Sequence, residues 1–234
     1  MRVVRGFAGT RVFPGTWQAP RKVPDMEIHQ LEVDGSFLIS PQIFTDDRGL
    51  FLEVFNQPAF HKAIGHPLSV AQVNCSLSRR GTIRGLHATA LPGQARYVTC
   101  AQGAIVDILV DIRVGSPTYG KHVAVTLSAE NRHALYLAEG LAHGFAPLTE
   151  HATVVYLCSS TWSPEGQIQI DPLDEELALP WPRGQRLLLS DKDRVAPSLR
   201  EAAERGMLPT YADCKARYAE LDGLGDLGEY AFTG

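Results

Sequence analysis

From Glu27 to Cys158 the chain meets a turn signal every few residues, and that spacing leaves room for short strands and little else. Strands are predicted over Ser36–Ile39, Leu50–Phe55, Leu68–Asn74, Arg96–Ala101, Ala104–Ile112, His122–Leu127, Ala134–Leu137 and Thr153–Cys158. Breaks at Asp46-Asp47-Arg48-Gly49, Arg80-Gly81, Gln102-Gly103 and Gly115-Ser116-Pro117 divide them. Before residue 190 two places read as helical. Pro58–Ile64 has proline at its start and Gly65 past its end, and Ser128–Arg132 fits a single turn. Short strands without long helices between them predict an all-β sandwich, jelly roll or barrel.

The two ends differ from this middle. Ser198-Leu199-Arg200-Glu201 is a capping-box pattern opening a helix that stops at Gly206, and a second helix is predicted over Tyr211–Leu221. Residues 1–25 carry Arg2, Arg5, Arg11, Arg21 and Lys22 against Asp25, with Pro14, Pro20 and Pro24 among them. No apolar run follows these arginines, so a secretory signal is not expected and the compartment is read as cytoplasmic. The 234 residues thus divide into a loose extension (1–25), one strand-rich domain (26–190) and a helical C-terminal segment (191–234). A net charge of −4 argues against a non-specific nucleic-acid binder, and no stretch approaches a membrane span. Cys75, Cys100, Cys158 and Cys214 lack CxxC spacing and read as reduced, mostly buried thiols.

Two motifs look catalytic and fail on context. Gly115-Ser116-Pro117-Thr118-Tyr119-Gly120-Lys121 has the spacing of a phosphate-binding loop, but His122 follows the lysine and opens a strand rather than a helix. Gly140-Leu141-Ala142-His143-Gly144-Phe145 resembles half of a cupin metal signature, while His87 stands alone where the other half would be. No functional metal is expected. Acid–base chemistry remains. His87 follows an Arg84-Gly85-Leu86 turn, and histidine is a residue type that can take and return a proton at cellular pH, although a lone histidine is more often structural. Tyr156 faces away from Val155 and Leu157, as a core tyrosine also does. Asp193 is by type a surface turn residue. Arg48, Arg79, Arg80, Arg84 and Arg96 fit a solvated face or a diphosphate clamp.

A set of motifs in order adds to this. Phe44-Thr45-Asp46-Asp47-Arg48-Gly49, Gln72-Val73-Asn74, Ser78 to His87, Asp111 to Gly120, Glu139 to Phe145 and Leu189-Ser190-Asp191-Lys192-Asp193 together resemble dTDP-4-dehydrorhamnose 3,5-epimerases. The resemblance runs from about Met26 to Pro197. Pro92 to Cys100 and Leu208-Pro209-Thr210-Tyr211 resemble the branch that makes deoxysugars for antibiotics and other secondary metabolites.

That resemblance implies a cupin-type jelly roll, a double-stranded β-sandwich with short C-terminal helices. It implies no metal or other cofactor, and a homodimer with strands exchanged between subunits. The expected substrate is a dTDP-4-keto-6-deoxyhexose, inverted at carbons 3 and 5 or at carbon 3 alone. His87 matches the catalytic base, Asp193 its partner and Tyr156 the opposing general acid. Arg84 and Arg96 would face the keto oxygen and the developing enolate. Arg48, Phe51 and Glu53 match residues reaching the nucleotide across the dimer interface. Gln72 and Asn74 match pocket-lining positions, and His143 matches a histidine near the sugar. The chain departs from the family pattern at Arg96, where lysine is usual, and at Ala88-Thr89, which replace an aromatic residue and glutamine. Trp162 stands in place of a tyrosine, and Ile170-Asp171-Pro172 lacks a nearby tryptophan. A non-catalytic sugar-nucleotide-binding jelly roll and a metal-dependent cupin oxygenase are the competing classes.

Overall fold

A computed structural model describes residues 26–184 and 186–226, so the extension expected over 1–25 lies outside the described residues. Its first half contains β1 (Glu27–Gln30), β2 (Ser36–Ser40), β3 (Ile43–Asp46), β4 (Gly49–Leu52), α1 (Gln57–Ile64), β5 (Gln72–Arg79) and β6 (Arg84–Thr89). There follow β7 (Arg96–Gln102), β8 (Ala104–Asp111), β9 (His122–Ser128), β10 (Ala134–Leu137), β11 (Leu141–Pro147), β12 (His151–Cys158) and β13 (Gln167–Gln169). The helices α2 (Asp191–Arg194), α3 (Leu199–Glu204) and α4 (Tyr211–Asp226) close the chain.

One antiparallel sheet has the order β1-β2-β10-β7-β12-β5 and a second the order β13-β6-β11-β8-β9. The strands β3 and β4 form a separate hairpin. This is the expected all-β jelly-roll sandwich, and a period of two sorts its side chains. Val98, Leu109, Leu127, Leu135, Leu141, Phe145 and Val154 meet between the sheets. Opposite-facing residues of the same strands bury elsewhere. Tyr97, Ala134 and Tyr136 pack with Phe60 of α1, while Leu86, Ala88, Val110 and Ala142 pack with Leu199 and Ala202 of α3.

Local chemistry explains the helices. Asn56 caps α1 by accepting from the Ala59 amide, and Gly65 ends it in the left-handed region at φ 104°. Ser198 and Glu201 form the expected capping box at α3. The second tail helix is longer than expected and reaches Asp226. It is tied to the sandwich by Tyr218, whose hydroxyl donates to the Glu139 carbonyl at 2.5 Å and accepts from Arg113 at 3.1 Å. Arg113 in turn forms a fully buried two-point pair with Asp111, at 2.8 and 2.7 Å. Ser116 and Thr118 each donate to the same carboxylate at 2.6 Å. The segment with phosphate-loop spacing is therefore a turn that caps a buried acid.

Several strands differ from expectation. β5 begins at Gln72 rather than Leu68, because its partner β12 ends at Cys158 opposite Gln72. β4 ends at Leu52, since the unexpected strand β3 offers only four partners. Cys75 lies exposed on the edge strand β5, whereas Cys100, Cys158 and Cys214 are buried as expected. Arg84-Gly85-Leu86 is not a turn but the start of β6. A Cβ at Gly85, where φ is +129°, would stand 2.5 Å from the Gly144 Cα and 2.7 Å from the His143 carbonyl oxygen. Glycine serves close strand approach here. Gly85→Ala is expected to destabilise the protein by about 1–3 kcal/mol through overpacking, with strain added. An unchanged urea midpoint would contradict that.

Candidate active site

Alternation along β6 sends Leu86 and Ala88 outward to the α3 layer and turns His87 inward. There it borders a cleft of about 480 Å³ between the two sheets. Opposite lie Gln72 and Asn74 of β5, Arg96 of β7 and Tyr156 of β12, with α2 at the rim. His87 Nε2 is 2.7 Å from Asp193 Oδ1. An ionised carboxylate only accepts, so Nε2 carries a proton; in a neutral imidazole the other ring nitrogen then has a lone pair. Burial works against the Asp193 anion. The hydrogen bond and charge of His87, with the Ser190 hydroxyl, nevertheless hold its carboxyl below the ordinary range. Asp193 is 3% exposed, not the surface turn residue that its type suggests.

The walls are cationic. Arg79, Arg84, Arg96 and Lys192 border the cleft, and Asp193, itself engaged by His87, is the acid among its lining residues. On a chain of net charge −4, this local concentration suits an anionic ligand. Arg84 donates to Ser78 at 2.8 Å. Burial pushes the Tyr156 hydroxyl above its ordinary value, against the opposing pull of Arg96 and Arg84. It is therefore protonated at neutral pH and able to donate. His143 sits in register with His87 on the neighbouring strand, with Nδ1 3.0 Å from Asp107. Among the described residues no three His, Cys, Asp or Glu side chains gather as a metal set.

The family model described as dTDP-4-dehydrorhamnose 3,5-epimerase matches residues 30–201. The chain belongs to the dTDP-4-dehydrorhamnose 3,5-epimerase family. It is 46% identical over 192 residues to a dTDP-4-dehydrorhamnose 3,5-epimerase of Mycolicibacterium smegmatis, covering 82% of this chain and 94% of that one. A solved 4-keto-6-deoxy sugar epimerase from the novobiocin biosynthetic gene cluster of Streptomyces spheroides is 45% identical with a TM-score of 0.79. That match covers 85% of this chain and all of that one. A 3'-monoepimerase from Streptomyces bikiniensis, solved in complex with dTDP-quinovose, is 42% identical with a TM-score of 0.79. It covers 86% and 100% of the two chains.

Within this member of the epimerase family, the cleft brings together His87, Tyr156, Asp193, Gln72, Asn74, Arg84, Arg96 and His143. It does not include Arg48, Phe51 or Glu53. Those lie on or just after the β3–β4 hairpin, where Arg48 pairs with Asp46 at 2.5 Å and Glu53 accepts from Asn56 at 2.7 Å. Of the other cations, Arg79 reaches the cleft, whereas Arg80 pairs with Glu150 at 3.6 Å. Trp162 stands at the cleft edge, its backbone amide donating to Gln72 at 2.8 Å. Sequence reasoning missed Lys192 and Gln94 as lining residues, and Asp107 as the partner of His143. Asp107 did carry a signal: it is a charged residue inside the apolar run Ile105–Val110.

Proposed function

We propose that this protein is a cofactor-independent epimerase of a dTDP-4-keto-6-deoxyhexose, inverting carbons 3 and 5. The observation that carries the reading is the His87–Asp193 pair, 2.7 Å apart, at a cleft walled by arginines. A ketone at carbon 4 acidifies the hydrogens on both neighbouring carbons. Asp193 orients the His87 ring and stabilises the cation formed when its free nitrogen takes one of these protons. The electron pair moves into an enolate whose oxygen is held by Arg96 and Arg84. Tyr156 returns a proton to the opposite face, and the centre is inverted. Incubation with dTDP-4-keto-6-deoxyglucose in deuterated water tests this, since NMR counts deuterium at each carbon. Uptake at neither carbon would overturn the epimerase reading.

Inversion of carbon 3 alone is the second reading, favoured by the 3'-monoepimerase among the similar structures. In that case deuterium enters at carbon 3 only.

A homodimer completes the proposal. Phe51 is 52% exposed on the hairpin, and Leu77 is 63% exposed on the edge strand β5. Apolar exposure of this kind beside an open sheet edge suits strand exchange with a second copy. Arg48 would then reach the diphosphate bound in the partner subunit, with Phe51 and Glu53 beside the nucleotide. Arg48→Ala is expected to raise Kd for dTDP more than it slows the saturated enzyme. Mixing Arg48→Ala chains with His87→Asn chains creates hybrid dimers with one intact site, so part of the lost activity should return. No recovery after confirmed subunit exchange would mean that each site is built from one chain.

A further inference from the structure

Arg96 is a buried cation held by neutral groups. It is 6% exposed, and its guanidinium donates to Gln94 Oε1 at 3.0 Å, to the His87 carbonyl at 2.9 Å and to Thr89 Oγ1 at 3.5 Å. Among the described residues no carboxylate pairs with it. Asp107 acts on it from a distance but is engaged by His143. Leaving a buried charge without a counter-charge is costly, so a structural arginine here would be expected to have an acid beside it. Gln94 occupies the position from which an acid could pair. Its amide is fixed from both sides, with Oε1 on Arg96 and Nε2 donating to the Ser160 carbonyl at 2.7 Å. Three of the five guanidinium N–H groups are used in these contacts, which leaves two for a ligand in the cleft.

We propose that Gln94 is a positioning residue: its neutral amide aims the Arg96 guanidinium without neutralising it, reserving the positive charge for the oxyanion that forms on the substrate. This rests on the epimerase reading above. The amide oxygen supplies direction, the Ser160 contact prevents the amide from turning over, and the bond from Arg96 to the His87 carbonyl places the cation beside the base. A carboxylate at the same position would keep the shape but supply the missing counter-charge, and it would face the Ser160 carbonyl with a second acceptor.

The test is Gln94→Glu, compared with wild type by substrate-saturated deuterium exchange, dTDP affinity and thermal unfolding. The expected result is a folded protein with dTDP affinity within threefold of wild type and kcat for exchange lowered at least tenfold. Loss of one oxyanion donor elsewhere costs about 10²–10³-fold. A merely structural glutamine predicts the reverse, a new ion pair that raises the unfolding midpoint and leaves exchange unmoved. Exchange slowed less than tenfold, or a matching loss of dTDP affinity, would overturn the proposal. Should Gln94→Glu fail to fold, Gln94→Met decides instead: at least threefold slower exchange with dTDP binding kept supports it, and smaller slowing overturns it. Absent exchange in wild type sinks the epimerase reading itself. Normal exchange in the variants, with wild type active, sinks the role of Gln94 alone.

Discussion

His87→Asn should slow deuterium uptake by about 10²–10⁴-fold, the usual contribution of a positioned general base, at every carbon that exchanges in wild type. In the proposed mechanism Asp193 holds one ring nitrogen and the other accepts the proton, and asparagine offers no basic atom in exchange. Binding of dTDP should change little, because the cations of the cleft remain. Wild-type exchange rates in this variant would remove His87 from the mechanism. The same substitution has a pH signature. The depressed Asp193 carboxyl contributes stability that is present above the unfolded aspartate value of about 3.9 and is lost as pH falls through its lower folded value. Removing His87 removes the main interaction that lowers it, so the acid-unfolding midpoint of the variant should move to higher pH.

Tyr156→Phe should separate enolisation from inversion. The ring keeps its place against the inner core, and a tyrosine that merely packs would lose one hydrogen bond, on the order of 1 kcal/mol. If Tyr156 delivers the second proton, the folded variant still takes up deuterium, because His87 can remove and return a proton on one face. Mostly uninverted sugar should then be recovered. Carbon 5 is expected to suffer more than carbon 3 in an enzyme that inverts both. In a carbon 3 enzyme reprotonated by water, the variant should be nearly unaffected. Exchange and inversion therefore have to be measured separately at each carbon, and normal inversion at both would show that another group is the acid.

What the sequence made legible was local. Asn56, Pro58 and Gly65 mark α1 because caps and terminators act within one turn of the chain. The strand alternation that faces Tyr156 inward is equally local. Gly85 was misread because a glycine beside a charged residue signals a turn, whereas its role depends on Gly144, a residue of another strand. Asp193 shows the same limit. By type it belongs on a surface, and its burial is offset by the nearby Ser190 hydroxyl and by a histidine brought from the far side of the chain. Family resemblance, not residue type, pointed to that pair. The contacts of Gln94 left no trace at all, since an amide's partners are settled by packing.

His87 and Asp193 are 106 positions apart, and most of the sandwich is laid down between them. The proposed base therefore gains its partner only after the strands have been made. A nascent chain halted before Leu189 has synthesised both cleft walls but lacks the carboxylate proposed to orient the base. During refolding, solvent exchange is expected to recover no earlier than β-sheet circular dichroism, and exchange that recovers first would contradict the proposed need for the His87–Asp193 pair. Turnover is then a stricter reporter of finished folding than any spectroscopic measure of secondary structure.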